Sequence, residues 1–174
     1  MGVLLGGDGG AADGEVEDHE VEISPQADFG DAPSPYPVTR SENGAEHAPT
    51  GPTLGATRDE ELDGVHSASA DADGPDEDGV VDTGTDLVVG ETAASVTVNV
   101  QNAPSGAKLD GWIDFNGDGS WGGPGEQVFA GRLVVNGDNV LTFDVPSWAE
   151  SGTTYARLRV STSGGLGLTG SADD

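Results

Sequence analysis

Ser95-Val96-Thr97-Val98-Asn99-Val100-Gln101 alternates strictly between apolar and polar residues, with Val96, Val98 and Val100 on one side of the count. Successive side chains of a β-strand point to opposite faces, so this period predicts a strand with one face buried and one wetted. Outward from it, Asp86-Leu87-Val88-Val89 reads as a preceding strand. Downstream, Leu109 to Phe115 places Leu109, Ile113 and Phe115 on one face. Gln127-Val128-Phe129-Ala130, Arg132-Leu133-Val134-Val135 and Val140 to Val145 continue the set. Asn136-Gly137-Asp138 between the last two reads as a hairpin turn. Thr153 to Val160 ends it, with Ala156, Leu158 and Val160 expected inward and Tyr155, Arg157 and Arg159 outward. Short strands separated by Gly, Asn and Asp turns predict an all-β chain folded as an antiparallel β-sandwich.

One connection in this set carries chemistry. Asp114-Phe115-Asn116-Gly117-Asp118-Gly119-Ser120-Trp121 alternates oxygen-bearing side chains and closes on a glycine. A Ca²⁺ ion takes six to eight oxygen ligands, and a loop of EF-hand type supplies them from positions 1, 3 and 5, with glycine at 6. Asp114, Asn116, Asp118 and Gly119 fill those places, and Ser120 would offer a backbone carbonyl at position 7. Position 12 is Gly125, so Glu126 would have to act as the closing carboxylate through a bulge. Asn-Gly and Asp-Gly are also strong turn signals that need no metal, so a plain polar turn is the competing reading.

The chain has 174 residues, of which 32 are acidic and 6 basic, giving a formal charge of −26. Nucleic acid and anionic membranes are bound through clustered Lys and Arg, so neither is an expected partner. Divalent cations, or a high-salt habitat, would relieve such self-repulsion. Cysteine is absent, which excludes disulfides and thiolate metal sites. No apolar run reaches the length of a membrane span, and residues 1–7 have no basic region and too short an apolar core for a signal peptide.

Residues 24–79 read as a connector punctuated by Pro25, Pro33, Pro35, Pro37, Pro49 and Pro52, with Phe29 and Tyr36 suited to docking on a neighbouring surface. Its acidic end holds Asp71, Asp73, Asp76 and Asp78 around a Gly-Pro turn, a second candidate cation site beside the simpler reading of a solvated acidic run. His47 and His66 are too isolated to suggest zinc, and His19 reads as a surface histidine, with a titrating switch as the alternative. Upstream, Glu15-Val16-Glu17-Asp18-His19-Glu20-Val21-Glu22-Ile23 is a charged strand that must add to a sheet elsewhere. Trp112, Trp121 and Trp148 read as core or rim aromatics, with a sugar-stacking platform as the alternative. There is no nucleophile elbow, phosphate-cradling loop or Ser-His-Asp set, so an enzyme is not expected.

Together, Asp28-Phe29-Gly30-Asp31-Ala32-Pro33 with Tyr36, Asp76 to Val80, Gly111 to Gly119, Gly125 to Phe129 and Tyr155 to Arg159 resemble the GEVED domain, named for a stretch like Gly14-Glu15-Val16-Glu17-Asp18. The resemblance implies a β-sandwich module of bacterial secreted or cell-surface proteins, stabilised by calcium and without catalysis. In the family the GEVED stretch closes the domain, whereas here it stands first. That order implies residues 1–23 as a glycine-rich tract and donor strand, 24–79 as connector and 80–174 as the sandwich. Glu15, Val16, Glu17, Asp18, Val21 and Ile23 would then complete a neighbouring copy or an adjacent repeat, head to tail. The expected role is a structural unit of an extracellular filament, stalk or adhesin, and the alternative is a calcium-dependent module binding a glycan or surface receptor.

Overall fold

A computed structural model of the chain describes residues 15, 17–21, 23, 26–58, 60–72, 79–82 and 86–172. The strands are β1 (Asp28–Phe29), β2 (Ala45–His47), β3 (Thr53–Leu54), β4 (Val80–Asp82), β5 (Ala94–Gln101), β6 (Ala107–Ile113), β7 (Gln127–Val134), β8 (Gly137–Phe143), β9 (Ala156–Ser161) and β10 (Gly170–Ala172). The alternating stretch is the body of β5, with Val98 and Val100 buried. β5 pairs antiparallel with β8 from Ala94↔Phe143 to Val100↔Gly137, and with the short β3 and β4 on its other edge. β6 forms the second sheet, antiparallel to β7 on one side and β9 on the other. Side chains of both sheets meet in one core that includes Val98, Val100, Leu109, Phe129, Val134, Leu141 and Val160. This is the expected all-β sandwich. A third, small sheet joins β1 to β2 antiparallel and β2 to β10 in parallel.

The stretch expected as a connector is a layer of this fold. Val38, Tyr36, Phe29 and Ala32 are buried, and Tyr36 and Val38 pack with Trp112 and Trp121. The cause lies in β6, which is buried on both faces: Leu109 and Ile113 look into the sandwich, while Asp110 and Trp112 are covered from outside. Burying Val38 and Tyr36 contributes about 1.5–3 kcal/mol each, and the prolines limit the entropy lost in ordering the segment. A Cβ on Gly44 would overlap the carbonyl of Val38, so only glycine lets the two backbones approach there.

Four local expectations change. Leu87, Val88 and Val89 are exposed and outside any strand, because Glu91 donates its N–H to the Val88 carbonyl and accepts the Val88 N–H on its side chain, closing a turn. Asn136-Gly137-Asp138 is not a hairpin. β7 and β8 lie in different sheets, and the crossover is held by Asn139, whose side chain binds both the N–H and the carbonyl of Val135. The two short runs around Gly131 form one bulged strand, β7, in which the Gly131 N–H reaches Asp110. Finally, Arg157 and Arg159 are buried and Ala156 is exposed, because the N-terminal layer covers the outer face of β9.

Candidate cation loop

The acidic connection leaves the end of β6 and returns to β7. Asp114 is fully buried at its root. One carboxylate oxygen accepts the Gly117 N–H at 2.7 Å; the other accepts the Gly119 N–H at 2.9 Å and the Tyr36 hydroxyl at 2.5 Å. Both glycines have positive φ, 66° and 82°, which turns their N–H groups inward. The Asn116 carbonyl oxygen accepts the Asp118 N–H at 2.9 Å, Asp118 accepts the Ser120 N–H at 2.9 Å, and the Ser120 hydroxyl accepts the Gly122 N–H at 3.1 Å. The side-chain oxygens thus fold the loop as a run of Asx-type turns. Thr154 clamps it from the side by donating its hydroxyl to the Asp114 carbonyl. Burial, then the bond to Asp114 and its charge, push the Tyr36 pKa up, so that hydroxyl stays a donor.

Glu126 is fully buried where the loop meets β7. Its Oε2 accepts the Gly123 N–H at 2.6 Å, and its Oε1 has no hydrogen-bond partner. Burial raises its pKa most; the Gly123 N–H opposes this, the charges of Asp114 and Asp118 add to it, and the Asn116 N–H pulls back. A buried oxygen left bare costs about 1–3 kcal/mol, and a hard cation would satisfy it. The fit to Ca²⁺ therefore rests on Glu126, with Asp114, Asn116 and Asp118 close by. Among the described residues no three His, Cys, Asp or Glu side chains form a ready-made metal group. The loop is ordered by its own hydrogen bonds.

Of the second acidic candidate, one residue is described. Asp71 is exposed and accepts the Ser67 hydroxyl at 2.6 Å, while Asp73, Asp76 and Asp78 lie outside the described residues. Trp112 and Trp121 are buried, Tyr36 stacks on Trp121 at 4.2 Å, and the Arg157 guanidinium lies 4.2 Å from the same ring. Neither ring is open to a sugar; Trp148, 48% exposed, stands edge-on to Phe115. Of the donor segment, Glu15, Glu17, Asp18, Val21 and Ile23 are exposed and unpaired with any strand, and Val16 lies outside the described residues.

Sequence reasoning missed Tyr36 and Thr154 as partners of Asp114, and Asp110 as a structural carboxylate. Asp110 accepts the N–H groups of Gly131 and Leu166, at 2.7 and 3.1 Å, and so fastens β7 and the glycine tract to β6. The strict alternation Asp110, Trp112, Asp114 was the available signal: a polar-faced strand carrying a tryptophan is a strand that something covers.

Fold and loop define a class: an antiparallel β-sandwich module with an acidic, glycine-turned connection between two strands of one sheet. The family is narrower. Residues 108–174, from β6 through β10, match the family model of the GEVED domain. No curated protein and no solved structure matches the chain.

Proposed function

We propose that this chain is a structural unit of an extracellular, calcium-stabilised filament, stalk or adhesin, whose copies or adjacent repeats join head to tail by donating Glu15–Ile23 as a strand. One observation carries the reading: Val21 and Ile23 are 77% and 93% exposed in a segment whose described residues pair with no strand. Two apolar residues at period two, held in water, would be buried on one face by adding to a sheet. The bare Oε1 of Glu126 supports Ca²⁺ in the loop, and extracellular calcium is abundant enough to fill even a weak site. Glycan binding finds less support, because two of the three tryptophans are buried. Negative-stain microscopy of the purified chain, with Ca²⁺ and then with EGTA, tests the proposal. Filaments repeating at one module and softening in EGTA are expected. Compact monomers in both conditions would overturn it.

A further inference from the structure

His66 lies outside the strands, in the stretch that follows Gly64, and it touches the N-terminal layer at two points. Its Nδ1 is 2.9 Å from the Ala32 carbonyl oxygen, and its Nε2 is 3.1 Å from each oxygen of the Glu42 carboxylate. Both ring nitrogens therefore face groups that accept hydrogen bonds. A neutral imidazole carries one N–H and the imidazolium two, so only the charged ring donates at both ends. Glu42 cannot supply the missing proton, because it is held as a carboxylate. Its Oε2 accepts the Thr39 N–H at 3.1 Å, the Thr39 hydroxyl at 2.9 Å and the Val38 N–H at 3.2 Å. The Thr39 N–H foremost, then His66, take its pKa down to about 2.

The ring joins segments that meet around the covered face of β6. Ser67 donates its N–H to the Asp31 carbonyl at 2.7 Å, so the His66 stretch runs beside Asp31 and Ala32. A Cβ on Gly64 would overlap the Val38 carbonyl, so the same stretch presses on Val38 from outside. Glu42 closes the single 3₁₀ turn Arg40–Glu42 on the far side of Val38. Between the two points held by the ring lie Tyr36 and Val38, which pack with Trp112 and Trp121. The other charged groups nearby are engaged elsewhere. Asp31 accepts the Ala72 N–H, Asp63 accepts the N–H groups of Arg40 and Gly64, Arg40 pairs with Glu46, and Asp71 takes the Ser67 hydroxyl. Among the described residues, Glu42 is the charged group that faces the ring.

We propose that His66 is a proton-operated bridge: as the imidazolium it fastens Ala32 to the Glu42 turn and holds the N-terminal layer closed, and on losing its proton it lets one of them go. The side chain is 27% exposed, so that proton passes to solvent. The bond to Ala32, then the bond to Glu42, raise the pKa of the ring; burial opposes them and the Glu42 charge adds to them. The stabilisation is accordingly complete below the ordinary 6.5 and is lost as pH rises through the folded value. The layer tightens in mildly acidic water and loosens in mildly alkaline water. Neither the cation loop nor strand donation is needed for this.

Nuclear magnetic resonance of the full chain reads the ring directly, with the His66 signals assigned by their absence from His66→Gln. The expected result is a titration midpoint above 6.5, ring nitrogens both protonated below it, and a lower midpoint in Glu42→Gln, which keeps an acceptor for Thr39. A midpoint at or below 6.5 in the native chain, or one unmoved by Glu42→Gln, overturns the bridge. Hydrogen exchange then tests the hold on the layer. Protection of the Tyr36 and Ser67 amides, corrected for intrinsic exchange, should fall between about pH 6 and 9 in the native chain and stay level in His66→Gln. An equal fall in both chains overturns the proposal, since a surface histidine without this role would give that result.

Discussion

Glu126 and His47 are the two side chains whose protonation differs most tellingly between folded and unfolded chain. The Glu126 pKa is raised, so the folded protein holds that proton more tightly. Its contribution to stability is complete below the ordinary value of 4.5 and is lost as pH rises through the folded value. Metal-free protein should therefore lose stability as pH leaves the carboxylate range, and saturating Ca²⁺ should suppress that loss. Glu126→Gln, which removes the titrating charge, should flatten this pH dependence in metal-free protein and remove the response to Ca²⁺; urea melts with Ca²⁺ and with EGTA decide it. A calcium response retained by the variant would place the cation elsewhere. His47 titrates the other way. Its Nε2 accepts the Arg159 Nε–H at 3.0 Å, and burial, with the charges of Arg159 and Arg58, takes its pKa down to about 3. That stabilisation is present above the ordinary 6.5 and is lost as pH falls from there toward 3. His47→Gln, which keeps an acceptor for Arg159, should flatten the acid limb of a stability–pH curve measured by thermal melting.

At the scale of elements, the N-terminal layer behaves as a lid of packed side chains over β6 and β9. Val38→Ala removes two methyl groups from a fully buried site and should cost about 2 kcal/mol, read as a shift in urea midpoint with unchanged slope. Hydrogen exchange should then rise first in β2 and β10, the layer's own sheet. The same layer explains what was and was not legible beforehand. Alternation in Ser95–Gln101 revealed β5 because both its causes, pleat and one buried face, are local. Arg157 and Arg159 misled, because their burial depends on residues about 110 to 120 positions away, whose carbonyls accept hydrogen bonds from their N–H groups. Asn136-Gly137 misled for a similar reason: the dipeptide permits a tight turn, but which sheet receives the next strand is a tertiary matter. In the loop, the spacing of Asp114, Asn116 and Asp118 was readable directly. The burial of Glu126 and the hydroxyl of Tyr36 from 78 residues upstream were not, since neither leaves a mark on local periodicity.

For the whole molecule, the acidic charge bears on the proposed cation. If the loop binds Ca²⁺ in the folded state alone, stability should climb with calcium by about 2.7 kcal/mol at a hundredfold excess over the dissociation constant. Sodium chloride at matched ionic strength should reproduce only the general screening part, and calorimetry in both salts separates the two. Removing residues 1–23 should leave the melting temperature of the sandwich unchanged while ending assembly, since the described residues of that segment are exposed. The pairing of β2 with β10 has a mechanical meaning as well. The strands run in parallel, with Gly170 beside Ala45 and Ala172 beside His47. Tension arriving from upstream of β2 and downstream of β10 draws them past each other lengthwise, so their bonds bear the load side by side and must yield together. A chain of such units under pull would resist as a row of clasps loaded in shear, where antiparallel partners gripped at one end would unzip.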